Sequence, residues 1–325
     1  MATLKDVAKE AGLTVTTVSR VLNNRGYISE DARKKVDEAM KKLNYRPNEI
    51  ARSLQRKSGN MIGLIIPHIS HPYFAQLISK IDHFAVEMGY HILLCNTQGI
   101  NSKVEEYISL CISNRVAGII ICSGSVDSNL VSNLDIPVVC LERNIDNCTA
   151  SVECDNLMGG RLAATALLDA GCKNPVYIGS ISTTNMPADR RYEGFATVCK
   201  ERDTRCLFYG VDDDAFKSMD YLEILEKLLQ RKTLPDGVFA SSDVIAIQLL
   251  QLCRKYGVQV PEQMKIVGFD DIPYALFSSP PLTTIHQPIA EMAEMAVRII
   301  KRASEGGIVA TKSILPVQLI ERETI

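Results

Sequence analysis

The 325-residue chain has no C-x-x-C pair among its 10 cysteines, which removes the spacing that a zinc ribbon or a thioredoxin-type redox site needs. It has no G-x-G-x-x-G, no P-loop and no G-x-S-x-G, so three common enzyme signatures are missing. His68 and His71 stand at H-x-x-H spacing, but the sequence identifies no further ligands beside them, and they read as solvated loop histidines. No metal, no cofactor and no enzymatic activity are therefore expected. The opening MATLKDVAKE lacks the apolar core of a secretory signal, and no apolar run approaches membrane-spanning length. A cytoplasmic, reducing setting is expected, with no membrane partner. Cysteines such as Cys95, Cys122 and Cys140, inside apolar runs, then act as small hydrophobes.

What the chain does contain is divided unevenly. Its length exceeds one ordinary domain, and 46% hydrophobic with 23% charged residues is an ordinary globular balance, so two or three folded units are expected. Residues 1–59 hold 13 Lys and Arg against 7 Asp and Glu, while the rest holds 23 against 31. A basic head on an acidic body suits a molecule in which one part touches phosphate and the other repels it.

The head reads as two short helices joined by a tight turn, then a third. Thr3 followed by Asp6 is a capping-box pattern, and Val7, Ala8 and Ala11 fall on one helical face. Gly12 supplies the turn and Thr14 can cap the second helix. There Val18, Val21 and Leu22 point inward, leaving Thr16, Ser19, Arg20 and Asn23 outward. Short hydroxyl and amide side chains beside one arginine suit a DNA major groove, and base contact is favoured over a solvated face for Thr16 and Arg20. Val15 either closes the small core or meets a thymine methyl. The third helix opens at Ser29, and its stripe Ala32, Val36, Ala39, Met40 and Leu43 is core. In the linker RPNEIARSLQRK (46–57), Leu54 lies between Arg52 and Arg56, an arrangement that suits an apolar wedge at a minor-groove step.

The run D-V-A-x-x-A-G-x-x-x-x-T-V-S-R-V-L-N, followed by Y-R-P-N and A-R-S-L, resembles the DNA-binding region of the lac-repressor/gal-repressor (LacI/GalR) family of bacterial transcription factors. The resemblance implies that Val15, Thr16 and Arg20 read the major groove, and that Thr17, Ser19 and Asn23 mainly hold phosphates. It also implies a hinge helix whose Ala51 and Leu54 enter the minor groove at the centre of a palindrome. The expected division is a helix-turn-helix domain over 1–45, a hinge over 46–60 and a core over 61–325.

In the core, strand-like and helix-like runs alternate. MIGLIIP (61–67), HILLCN (91–96), AGIIIC (117–122), PVVCLE (137–142), PVYIGS (175–180), GVFAS (237–241) and KIVGFD (265–270) are continuous apolar runs, as strands buried on both faces should be. Helical stretches over 73–88, 156–170, 220–231 and 243–256 lie between them. The alternation predicts an α/β fold with parallel sheets. The family resemblance extends over the core through V-x-x-D-N (152–156), R-x-x-G-F (191–195) and V-G-F-D-D (267–271), and it implies a periplasmic-binding-protein-like pair of lobes. The lobes are expected at about 61–157 with 286–313, and 158–285 with 314–325.

Ligands of such sheets bind beyond the carboxyl ends of the strands. Tyr73 and Phe74 follow the first strand and either stack on a ligand ring or pack at a helix start. Arg191 could grip hydroxyls or a phosphate, with a surface salt bridge as the alternative. Asp270 ends an apolar run and can accept from ligand hydroxyls. The family places effector contacts at positions matching Phe74, Arg191 and Asp270. Asp243, with Ser241 and Ser242, reads as a helix cap, and Asp155 and Asn156 as a turn and cap. Glu142–Arg143 stands where relatives often show Asp–Arg, a departure that weakens the case for a contact there. The chain stops at ERETI without leucine heptads, so the tetramer-forming tail of the lac repressor is not expected.

These features together predict a homodimeric repressor on palindromic operator DNA, controlled by a small-molecule effector. A sugar or sugar phosphate is the first choice and a purine or nucleoside the second. The competing readings are a regulator triggered by a partner protein, a soluble sugar-binding protein, and a sugar-processing enzyme with an accessory DNA domain.

Overall fold

The computed structural model describes residues 2–23, 26–45, 59–124, 128–180 and 186–325. They fall into two compact units, Met1–Gly59 and Asn60–Ile325.

The first unit is built from the helices Leu4–Ala11, Val15–Asn23 and Glu30–Lys42. The Thr3 amide donates to Asp6 Oδ2 at 2.8 Å while Thr3 Oγ1 accepts from the Asp6 amide, which satisfies two of the free groups at the first helix start. Gly12 ends that helix at φ 65°, a conformation that costs a glycine little. Thr14 Oγ1 accepts from the Thr17 amide at 3.1 Å, and Ser29 Oγ accepts from Ala32 at 3.3 Å, so both later helices start on hydroxyl caps. Val7, Ala8, Val18, Val36 and Ala39 form the buried core, with Val21, Leu22, Met40 and Leu43 packed around it.

The second unit is α/β and holds two six-stranded sheets. Strands β1 (Met61–Ile66), β2 (His91–Asn96), β3 (Gly118–Ile121), β4 (Val138–Leu141) and β5 (Ala150–Cys154) belong to the first. Strands β6 (Pro175–Gly179), β7 (Leu207–Gly210), β8 (Gly237–Ala240), β9 (Lys265–Asp270) and β10 (Thr283–His286) belong to the second. Two last strands return one to each: β11 (Lys312–Leu315) to the first and β12 (Gln318–Ile320) to the second. The orders are β11-β5-β4-β3-β1-β2 and β12-β10-β9-β8-β6-β7. All the strand pairs are parallel except β10 with β12, which is antiparallel, a departure from the purely parallel expectation.

The chain thus crosses between lobes after β5, after β10 and after β11. Helix Asn156–Asp169 packs on strands of the second sheet and against helix Arg190–Glu201, while helix Ile289–Ser304 packs on the first sheet and against helix Pro72–Glu87. Strands β1, β3, β4, β6, β8 and β9 are buried almost throughout, as continuous apolar runs should be. HILLCN differs: β2 is the edge of its sheet, and most of its residues keep some exposure. No helix among the described residues is long and apolar enough to cross a membrane.

Candidate functional site

On the head, the Val15–Asn23 helix divides cleanly. Val18 is fully buried, Thr16 and Arg20 are exposed one helical turn apart, and Thr17 and Ser19 are half-buried. Val15 is 39% exposed, so it stands outside the core. Among the described residues Arg20 has no ion-pair partner, which leaves a cation and a threonine on one open helix face. Asn23 is the last residue of that helix. Ala51 and Leu54 lie outside the described residues.

In the second unit a cavity of about 430 Å³ opens at the carboxyl ends of both sheets. Tyr73, Phe74, Arg191 and Asp270 all line it. Its walls are the segments that follow strands: Pro67 after β1, Ser123 after β3, Glu142 and Arg143 after β4, Ser241 and Ser242 after β8, and Gln287 after β10.

Arg191 sits in the first turn of helix Arg190–Glu201 and is only 8% exposed, so the surface salt bridge is excluded. Two glycines place that helix. A Cβ on Gly160 would come 2.0 Å from the Arg191 carbonyl oxygen, and one on Gly194 would come 2.1 Å from that of Leu157, so only glycines allow the two helices to meet. The guanidinium lies 3.6 Å over the Phe269 ring, donates through Nε to Asn156 Oδ1 at 2.7 Å, and through Nη1 to the Ser241 carbonyl at 2.7 Å. Its Nη1 stands 3.9 Å from Asp270 Oδ1, a charge pair without a direct hydrogen bond. Nη2 has no acceptor among the described residues.

Asp270 is 4% exposed and accepts from Gln287 Nε2 at 2.6 Å. Burial pushes its carboxyl up to about 7; Arg191 and Gln287 pull against that, and the Glu142 charge adds to it. Asn156 joins the two lobes: its Oδ1 holds Arg191, and its Nδ2 donates to Glu142 Oε2 at 2.9 Å. Asp155 caps the Asn156 helix by accepting from the Met158 amide at 2.9 Å, which separates the roles of two adjacent residues.

Three buried polar atoms of cavity residues lack a partner among the described residues: Tyr73 OH, Arg143 Nε and Gln287 Oε1. Buried polar groups are normally satisfied, so orphans gathered on one cavity mark places for polar groups of a guest. Burial and the Glu142 charge push the Tyr73 hydroxyl up, which keeps it a donor. Phe74, Phe216 and Tyr221 supply apolar wall.

Three expectations require correction. His68 and His71 are not solvated: they are 8% and 4% exposed, and both pack against Phe216 at 5.8 and 6.2 Å between ring centroids. His71 Nδ1 accepts from the Tyr73 amide at 3.3 Å as a helix cap, and burial lowers its pKa to about 4. No metal-binding cluster occurs among the described residues. Asp243 does not cap its helix, because Ser242 does; the Asp243 carboxylate is buried and accepts from the Ile272 amide and the Thr284 hydroxyl. Glu142–Arg143 does line the cavity. The Glu142 carboxylate is occupied by the Cys154 amide and Asn156, whereas Arg143 Nε has no partner among the described residues.

Comparison with known proteins covers the whole chain. A model described as bacterial regulatory proteins, lacI family, matches residues 3–48, and one described as a periplasmic binding protein-like domain matches residues 164–325. The ribose operon repressor of Halalkalibacterium halodurans is 36% identical over 326 residues, covering 100% of this chain and 97% of that protein. The transcriptional repressor PurR of Haemophilus influenzae is 35% identical over 305 residues, covering 92% and 90%. A periplasmic binding protein/LacI transcriptional regulator from Alkaliphilus metalliredigens, solved with D-xylulofuranose, is 32% identical with a TM-score of 0.73, covering 82% of this chain and 99% of that one.

Proposed function

The chain belongs to the lacI family of bacterial regulatory proteins, and on that premise we propose that it is a cytoplasmic, homodimeric repressor whose cavity takes a sugar effector. It is a DNA-binding transcriptional regulator. The head presents Thr16 and Arg20 from an exposed helix face, the arrangement that reads base edges in a major groove. Val15 adds an apolar group beside them, while Thr17, Ser19 and Asn23 take the phosphates. Ala51 and Leu54 enter the minor groove at the operator centre.

The observation that carries the effector class is the opposed pair Arg191 and Asp270, 3.9 Å apart and both buried in one cavity. A hydroxyl-rich guest can accept from the guanidinium and donate to the carboxylate, and its other hydroxyls meet Tyr73, Arg143 and Gln287. Phe74 and Phe216 suit the apolar faces of a sugar ring. A ribose operon repressor at 36% identity and a relative solved with D-xylulofuranose point to a small sugar of this kind.

The experiment is a thermal-shift screen of pentoses, hexoses, their phosphates and nucleobases against the full chain. A specific effector raises the midpoint in proportion to its saturation. A sugar that does so and also changes operator binding in a gel shift supports the reading. Stabilisation by a nucleobase alone would favour the purine class, for which the aromatic wall and the PurR relative speak.

A further inference from the structure

Asp270 and Asp271 are consecutive non-glycine residues with positive φ, at 115° and 56°. Such conformations persist only where surrounding contacts over-determine them. The contacts here come from three separate elements. Gln287 Nε2 donates to Asp270 Oδ1 at 2.6 Å, and its neighbour His286 meets Asp271 Oδ2 through Nδ1 at 2.9 Å. Arg322 Nη2 donates to Asp271 Oδ1 at 2.6 Å, while its Nη1 donates to the Leu282 carbonyl at 2.7 Å. The Ile272 amide donates to Asp243 Oδ2 at 2.8 Å, and Thr284 holds the other oxygen of that carboxylate.

Strands β9 and β10 pair Asp270 with His286. Successive side chains along a strand point to opposite faces, so adjacent residues at the end of β10 grip adjacent carboxylates at the end of β9. Asp270 and Gln287 line the cavity; Asp271, His286 and Arg322 do not. The Asp271–Arg322 pair is nonetheless well shielded, with 17% and 16% of the side chains exposed.

We infer that Asp271, held by Arg322 and His286, is a positioning residue of the effector site: it locks the turn that presents the Asp270 carboxylate to the cavity and touches no ligand itself. The inference rests on the cavity being the effector site. When the ion pair is lost, the turn relaxes toward negative φ, and Asp270 leaves Gln287 for water. Because Gln287 also begins the crossover that follows β10, the same grip ties the ligand-facing carboxylate to a connection between the lobes.

The test uses the full chain with Arg322→Gln and, separately, Asp271→Asn. Asparagine tolerates positive φ as aspartate does, so the second variant removes charge without changing backbone preference. The readout is an NMR titration of the Asp270 carboxyl without effector, which sits at about 7 in the parent through burial. In both variants it is expected to fall toward the ordinary carboxylate range, and D-ribose affinity by calorimetry to weaken about tenfold. An Asp270 titration unchanged in both variants overturns the inference, whether or not D-ribose binds. If the parent ignores D-ribose while the titration moves as expected, ribose is not the effector and the positioning role stands.

Discussion

Removing the Arg191 guanidinium should destabilise the core by an amount that depends on pH. The residue is 8% exposed, so solvent screens it little. It holds Asn156, the Ser241 carbonyl and the Phe269 face, and it stands 3.9 Å from the Asp270 carboxylate. Adding these contacts one by one would overcount, because the guanidinium's own desolvation penalty is recovered when it is removed. The relevant magnitude is that of taking one member from a buried pair, about 3–5 kcal/mol. For a core of this size Arg191→Ala should lower the melting midpoint by roughly 6–20 °C. The pH dependence comes from Asp270, whose carboxyl is raised from 3.8 to about 7 in the folded chain, chiefly by burial. A carboxyl raised on folding favours the folded state below its unfolded value and loses that advantage as pH climbs through the folded value. The loss runs from about pH 4 to pH 7 and is on the order of 4 kcal/mol. Without Arg191 the carboxyl rises further, so the deficit of Arg191→Ala should be larger at pH 8 than at pH 5. In an Asp270→Asn background the same substitution should cost about 1–3 kcal/mol less and lose its pH dependence. Urea denaturation of the four chains at both pH values measures this cycle. Equal deficits at both pH values and in both backgrounds would refute the claim that this charge pair organises the site.

The remaining expectations address other parts of the molecule. Gly160→Ala drives a methyl against the Arg191 backbone at 2.0 Å and should cost about 3 kcal/mol in denaturant titrations, with weaker effector binding as Arg191 shifts; a neutral result would mean the two helices separate freely. Arg20→Ala should cost operator binding about 1–3 kcal/mol and relax preference at one base pair, whereas equal losses on operator and random DNA would make Arg20 a phosphate clamp. Leu54→Ala should weaken specific binding and reduce the DNA bend measured by circular permutation, and an unchanged bend would remove the wedge.

Periodicity exposed the parts of the fold that are simple in physical terms. Runs such as MIGLIIP and KIVGFD are legible because a strand covered on both faces has nothing polar to carry. The strands β5, β7, β10, β11 and β12 escape the same test for identifiable reasons. β10 is TTIH, and its buried threonines are satisfied by Asp243, Thr324 and the Arg322 amide, partners remote in sequence. β7 and β12 are edges, and β11 is half-exposed and carries a lysine that reaches Glu153. The helix starts at Thr3, Thr14 and Ser29 are legible because caps are local chemistry.

Local chemistry also explains what could be read of the site. Arg191 and Asp270 stand out because a charged residue after a polar loop or at the end of an apolar run is out of keeping with its neighbours. Gln287 and Asn156 carry no such local contrast, and Arg143, though it follows the apolar run PVVCLE, stands beside a glutamate that departs from the family pattern. Gln287 follows a strand too polar to recognise, so its position at the sheet's carboxyl end is hidden along with the strand. Asn156 looks like a cap residue because its neighbour Asp155 is one, and only the fold shows its amide spanning Glu142 and Arg191. His68 and His71 mislead in the opposite direction, since a loop flanked by proline and serine reads as solvent. Phe216, from a segment more than a hundred residues away, covers both rings. The legible residues are those whose role follows from their neighbours in the chain, and the rest acquire theirs from groups that only the packing of the two sheets and their helices brings within reach.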